Sequence, residues 1–171
     1  MRRVPLNKAE KLAQKIKHTV LGQDLLWDET DQTFFVSIDD KYSVVFIVDD
    51  KSDETSWYVM NDTLYVPVGM KYNEKNCKAV FKNNIIHIPT LLVHEATHLL
   101  QDFSEDIDTD DYDIWVTDPY EMNAVHNEWL YSQKHNVSYQ YFENPCSNND
   151  IVRSLSLYGY NDIPPILKSC S

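Results

Sequence analysis

Leu91-Leu92-Val93-His94-Glu95-Ala96-Thr97-His98-Leu99-Leu100 sets two histidines four residues apart inside an apolar run. On a helix, residues i and i+4 lie one above the other on one face, so both imidazoles can hold one zinc ion. Glu95 follows His94 on the flank of that face, where its carboxylate can reach a water on the same metal. The six aliphatic residues leave a narrow polar stripe of His94, Glu95, His98 and Gln101. A solvent-facing stripe ordinarily carries Lys and Glu. A core helix with two satisfied histidines is the other reading of the same run.

Outward from this stretch, Pro89 suits the first turn of its helix, which should end near Gln101-Asp102. Residues 102–113 carry seven carboxylates and read as a mobile surface loop. Alternating carboxylates at 106–110 suggest a calcium loop, but Asp111 and Thr117 stand where an EF-hand needs Gly and Glu. Asp118-Pro119-Tyr120-Glu121 then opens a second helix, to about residue 133, with the spacing of a capping box. A third helix fits 149–158, and Pro164-Pro165 ends the pattern.

The first half reads as helix followed by strands. Leu6, Ala9, Leu12, Ala13, Ile16 and Val20 form an apolar stripe, with capping-box spacing at Asn7 and Glu10 and Gly22 as a stop. His18 faces away from that stripe, towards the surface. Strand patterns occupy 33–38, 42–48, 57–60 and 63–68, with turns at Asp39-Asp40-Lys41 and Asn61-Asp62; Pro67 suggests an edge strand. Residues 73–81 read as a short helix. Residues 84–88 fit either a strand or the approach to the next helix. The order predicts one α+β domain over 1–171, a mostly antiparallel sheet packed on an N-terminal helix, the His94–His98 helix and C-terminal helices.

Composition narrows the partners. Twenty-seven acidic against 15 basic residues give a net charge of −12. Nucleic acid and anionic membranes want the opposite sign, so neither is expected. No stretch is long and apolar enough to span a membrane. Cys77, Cys146 and Cys170 are odd in number and far apart, and no apolar segment follows Arg2-Arg3, which together suggest a cytoplasmic protein. Few Gly and many Asn, Asp and Lys hint at an AT-rich source of viral or phage type.

H-E-x-x-H in this setting resembles the zinc metallopeptidases called zincins. The resemblance covers about residues 85–129. It implies Zn2+ held by His94 and His98, with Glu95 as the general base that activates water against a peptide bond. Catalytic zinc ordinarily has three protein ligands plus water. Metzincins continue H-x-x-G-x-x-H, but Gln101 and Ser104 stand where that Gly and His belong. Glu121 on the next helix, with small Ala124 beyond it, resembles the gluzincin arrangement and is the expected third ligand. Asp110, Asp111 and His126 are rivals, and Glu121 also suits a mere capping role. Glu128 shares the Glu121 face and could be a structural partner.

An oxyanion donor would be Tyr120, His126, Tyr158 or Tyr160. A polypeptide substrate would pair with an edge strand, 63–68 or 84–88. The compact, gluzincin-like form is similar to minimal bacterial and phage zincins. Two other classes stay open: a zincin-fold partner-binding or virion-assembly protein without turnover, and a helical binding protein with a chance motif.

Overall fold

A computed structural model describes residues 2–20, 34–47, 57–67, 71–73, 78–81, 84–101, 111–139 and 149–164. Helix α1 (Leu6–Val20) precedes seven strands: β1 (Phe34–Ile38), β2 (Tyr42–Ile47), β3 (Tyr58–Met60), β4 (Thr63–Pro67), β5 (Lys71–Asn73), β6 (Lys78–Phe81) and β7 (Asn84–His87). Among the described residues, four helices follow, α2 (Ile88–Leu100), α3 (Tyr112–Thr117), α4 (Pro119–Lys134) and α5 (Asn149–Leu157). The class is α+β.

The strands form two sheets rather than one. The first has the order β1-β2-β4-β3 and is mixed, because β2 and β4 run parallel. The second, β5-β6-β7, is antiparallel. The described residues of 73–81 are therefore strand and not helix: Asn73 ends β5 and Lys78–Phe81 forms β6. Ladder pairing with a neighbouring strand decided that segment, and local periodicity could not see it. Asn84–His87 is a strand and also the approach to a helix, since α2 starts at the next residue.

Local chemistry explains the turns. Asp39 and Asn61 both adopt left-handed backbone (φ 55° and 53°), and short Asx side chains tolerate it best after glycine. Asn61-Asp62 closes the two-residue connection between Met60 and Thr63. Pro67 does not mark an edge strand, because β4 lies between β2 and β3. It sits past the last β3 pair, Tyr58 with Tyr65, so its missing N–H breaks no pairing with β3.

Helices α1 and α2 lie side by side on the mixed sheet. Ala9, Leu12, Ala13 and Ile16 of α1 meet Leu92, Val93, Ala96 and Leu99 of α2 over Val44, Leu64 and Val66. Alternate residues of β4 are buried, as a sheet with one covered face requires. Helix α4 packs on the far side of α2, and a second core joins it to α3 and α5 through Val116, Met122, Val125, Ile151 and Leu155. Covered on both sides, α4 buries Asn123, Asn127 and Glu128 as well as its apolar residues.

The expected capping box of α1 does not form. The helix begins at Leu6, so Asn7 lies inside it. Glu10 turns instead to α4, accepting from Lys134 Nζ and pairing with His135 Nε2, each at 2.7 Å. His18 is exposed, as expected. Gly22, the three cysteines and residues 102–110, with the candidate calcium loop and Asp110, lie outside the described residues. Among the described residues, no helix is long and apolar enough to cross a membrane.

Candidate metal centre

Helix α2 starts abruptly, with Pro89 in its first turn and His87 Nδ1 accepting from the Thr90 backbone N–H. Its polar stripe faces α4, which begins at Asp118, whose side chain accepts from the Tyr120 N–H at 2.9 Å. Capping is thus done by Asp118. The Glu121 carboxylate is directed at the histidines instead.

Three atoms converge between the helices. Nε2 of His94 and Nε2 of His98 are 3.0 Å apart, and Oε2 of Glu121 lies 3.1 Å from the first and 3.2 Å from the second. His94, His98 and Glu121 are the one group of potential metal ligands among the described residues. Tetrahedral zinc bonds of about 2.0–2.1 Å imply ligand–ligand separations of about 3.3 Å, close to this triangle. The three side chains are only 7–12% exposed.

Each ring is held from behind. Nδ1 of His94 contacts Oε1 of Glu128, and Nδ1 of His98 lies 2.7 Å from Oε1 of Gln101. A carboxylate and an amide oxygen can only accept, so each Nδ1 carries a hydrogen, and in the neutral ring, the form that binds a cation, each Nε2 keeps a lone pair. Two lone pairs and a carboxylate oxygen then crowd one point, which favours a cation there. Charge points the same way. Glu95, Glu121 and Glu128 are three buried carboxylates around two imidazoles, and buried charge needs compensation. The donor set, imidazole nitrogen with carboxylate oxygen, suits zinc.

The same contacts perturb the titrations. Burial disfavours the charged His94, yet the Glu128 and Glu121 carboxylates hold its pKa well above the usual histidine value. His98 is raised likewise, chiefly by Glu121 against burial. Burial would raise Glu121, but His98 and His94 pull it far below the ordinary carboxylate range. Glu95 behaves oppositely. Burial pushes it up to about 7, only partly offset by His94 and His98 and reinforced by Glu121 and Glu128. Its Oε2 is buried with no hydrogen-bond partner among the described residues.

The two described rivals for the third position, Asp111 and His126, are elsewhere. Asp111 caps α3, accepting from the Asp113 N–H at 2.9 Å. His126 packs its ring on Tyr160, centroids 4.2 Å apart, beside the second core. Its Nε2 is buried without a partner among the described residues, and burial lowers its pKa to about 4. Of the candidate oxyanion donors, Tyr158 donates its hydroxyl to the Thr117 carbonyl and Tyr160 stays with His126. Tyr120 joins the centre through its carbonyl, which accepts from Gln101 Nε2 at 2.9 Å.

Two contributors were not foreseen. Trp115 of α3 donates its indole N–H to Glu121 Oε2 at 3.0 Å. Gln101, seen only as part of a polar stripe, is the His98 partner; its i+3 spacing from His98 was the available signal. Nothing in the sequence around Trp115 announced its role. Comparison with protein families, curated proteins and solved structures finds no match to this chain.

Proposed function

We propose that the chain is a compact, gluzincin-like zinc-dependent peptidase acting on polypeptides in the cytoplasm. The carrying observation is the convergence of two Nδ1-anchored imidazoles and the Glu121 carboxylate beside Glu95, whose buried Oε2 has no partner. His94, His98 and Glu121 would hold the cation. A zinc ion there would supply a Lewis acid for the carbonyl and lower the pKa of an attacking water.

Glu95 does the proton work. A carboxylate with a pKa near 7 accepts a proton and gives it up again at neutral pH. Its unpartnered Oε2 takes the proton of the attacking water and then hands it to the leaving amine. Glu128 and Gln101 keep the imidazoles oriented, and burial limits bulk water at the site.

Chelator-sensitive cleavage of a mixed peptide library, read by mass spectrometry, tests the proposal. Glu95→Gln keeps shape and hydrogen bonding but cannot accept the proton. It should retain zinc and lose about 10²–10⁴-fold in turnover. Equal cleavage by both proteins removes Glu95 from this role. A zinc-loaded wild type that cleaves nothing points to the partner-binding or assembly alternative, and a wild type that binds no zinc removes the metal reading altogether.

A further inference from the structure

His98 is held by a chain of amides that ends at the N-terminal segment. Val4 is buried, and its peptide groups are bound at both ends. Its N–H donates to Oδ1 of Asn123 at 2.9 Å, and its carbonyl accepts from Nδ2 of Asn123 at 3.1 Å and Nδ2 of Asn127 at 2.9 Å. Because the Asn123 NH2 faces the Val4 carbonyl, Oδ1 is its atom left for Gln101. Gln101 Nε2 donates to that oxygen at 3.2 Å and to the Tyr120 carbonyl at 2.9 Å.

Both hydrogens of the Gln101 amide are thereby used, and its Oε1 must face Nδ1 of His98. A flipped Gln101 would set its oxygen against two other acceptors and its NH2 against the ring N–H. The arrangement therefore fixes the hydrogen of His98 on Nδ1 and its lone pair on Nε2. Asn127 offers a natural contrast. It also donates to the Val4 carbonyl, but its other bond, 3.0 Å long, goes to Thr97 Oγ1 and not to Gln101.

We propose that Asn123 is a positioning residue for the metal centre: fixed by the Val4 peptide groups, it orients the Gln101 amide so that His98 presents Nε2 to the cation. The proposal rests on the reading of His94, His98 and Glu121 as a zinc site.

Zinc affinity, measured by competition with a chromophoric chelator, tests it alongside thermal unfolding. Asn123→Ala and Asn127→Ala each remove a buried hydrogen bond to the same carbonyl, so both should lower Tm. Asn123→Ala alone should weaken zinc binding, by about 10–100-fold, while Asn127→Ala stays near wild type. Equal affinities for the two variants, whether both lowered or both unchanged, would overturn the proposal. A wild type that binds no zinc would instead overturn the site reading on which it rests. If Asn123→Ala does not fold, Gln101→Met keeps the side-chain volume and removes the acceptor for Nδ1. It should show the same loss, and an unchanged affinity would sink the proposal.

Discussion

Glu128 sits behind His94, its carboxylate against Nδ1 on the side of the ring away from Glu121. It lies two turns along α4 from Glu121, so one helix face supplies both a proposed ligand and the anchor of another. Glu128→Ala should lower zinc affinity by about 10–100-fold, because the ring loses the acceptor that fixes its tautomer and orientation. Glu128→Gln, which keeps an accepting oxygen, should fall between. Chelator competition reads both, and wild-type affinity in Glu128→Ala would reduce this contact to an incidental ion pair.

Trp115 acts from α3 on Glu121, the proposed third ligand. Trp115→Phe keeps an aromatic ring beside Tyr112, whose ring centroid lies 6.0 Å away, and deletes the indole N–H together with the second ring. A hydrogen bond to a charged acceptor contributes about 1.5–3 kcal/mol. Zinc affinity should therefore fall about tenfold or more, with a small change in Tm. The reverse pattern, a large Tm loss at unchanged affinity, would make Trp115 a packing residue alone.

The centre was legible where its chemistry is local. His94, Glu95 and His98 share one helical turn, so spacing brought those three together, whereas Glu121, near a helix start that Asp118 and Pro119 announce, entered through the resemblance to the gluzincin arrangement. Tertiary contacts were not legible. Trp115 reaches Glu121 because a short helix forms at Tyr112–Thr117, whose first two residues fall in the acidic stretch read as a loop and whose remainder carries no recognisable pattern. Glu10 looked like half of a capping box because the box is a local pattern, whereas its partners lie on α4. The β5–β6 pair was mistaken for a helix for the same reason: a strand three or four residues long is defined by its neighbour.

Glu10 predicts a pH dependence of stability. Burial alone would raise its pKa, but hydrogen bonds and charge from Lys134 and His135 leave it below the ordinary glutamate value of 4.5. A folded-state pKa below the unfolded one stabilises the fold above the unfolded value and loses that contribution as pH falls through the folded value. Glu10→Gln should thus melt below wild type at pH 7, and the gap should close on acidification beneath about pH 4.5. Melting curves of the two proteins from pH 7 to pH 3 check this. A gap that stays constant with pH would mean that Glu10 contributes through packing and not through its charge.

Glu121 and Asp111 separate metal binding from helix capping. Both carboxylates stand near a helix start, and both were candidates for the third position. Asp111 accepts from the Asp113 N–H at the start of α3, so Asp111→Ala should cost about 1 kcal/mol of stability and leave one zinc per chain. Glu121→Ala should do the opposite. Asp118 still accepts from the Tyr120 N–H, so α4 keeps its cap and the fold persists. Two imidazoles alone would then face the cation, and zinc affinity should drop beyond the range of about 10–100-fold expected for residues that only orient a ligand. Stoichiometry by elemental analysis and affinity by chelator competition, measured beside Tm for both variants, give the answer. If Asp111→Ala loses the zinc and Glu121→Ala keeps it, the third ligand comes from the acidic segment and α4 merely carries a buried carboxylate.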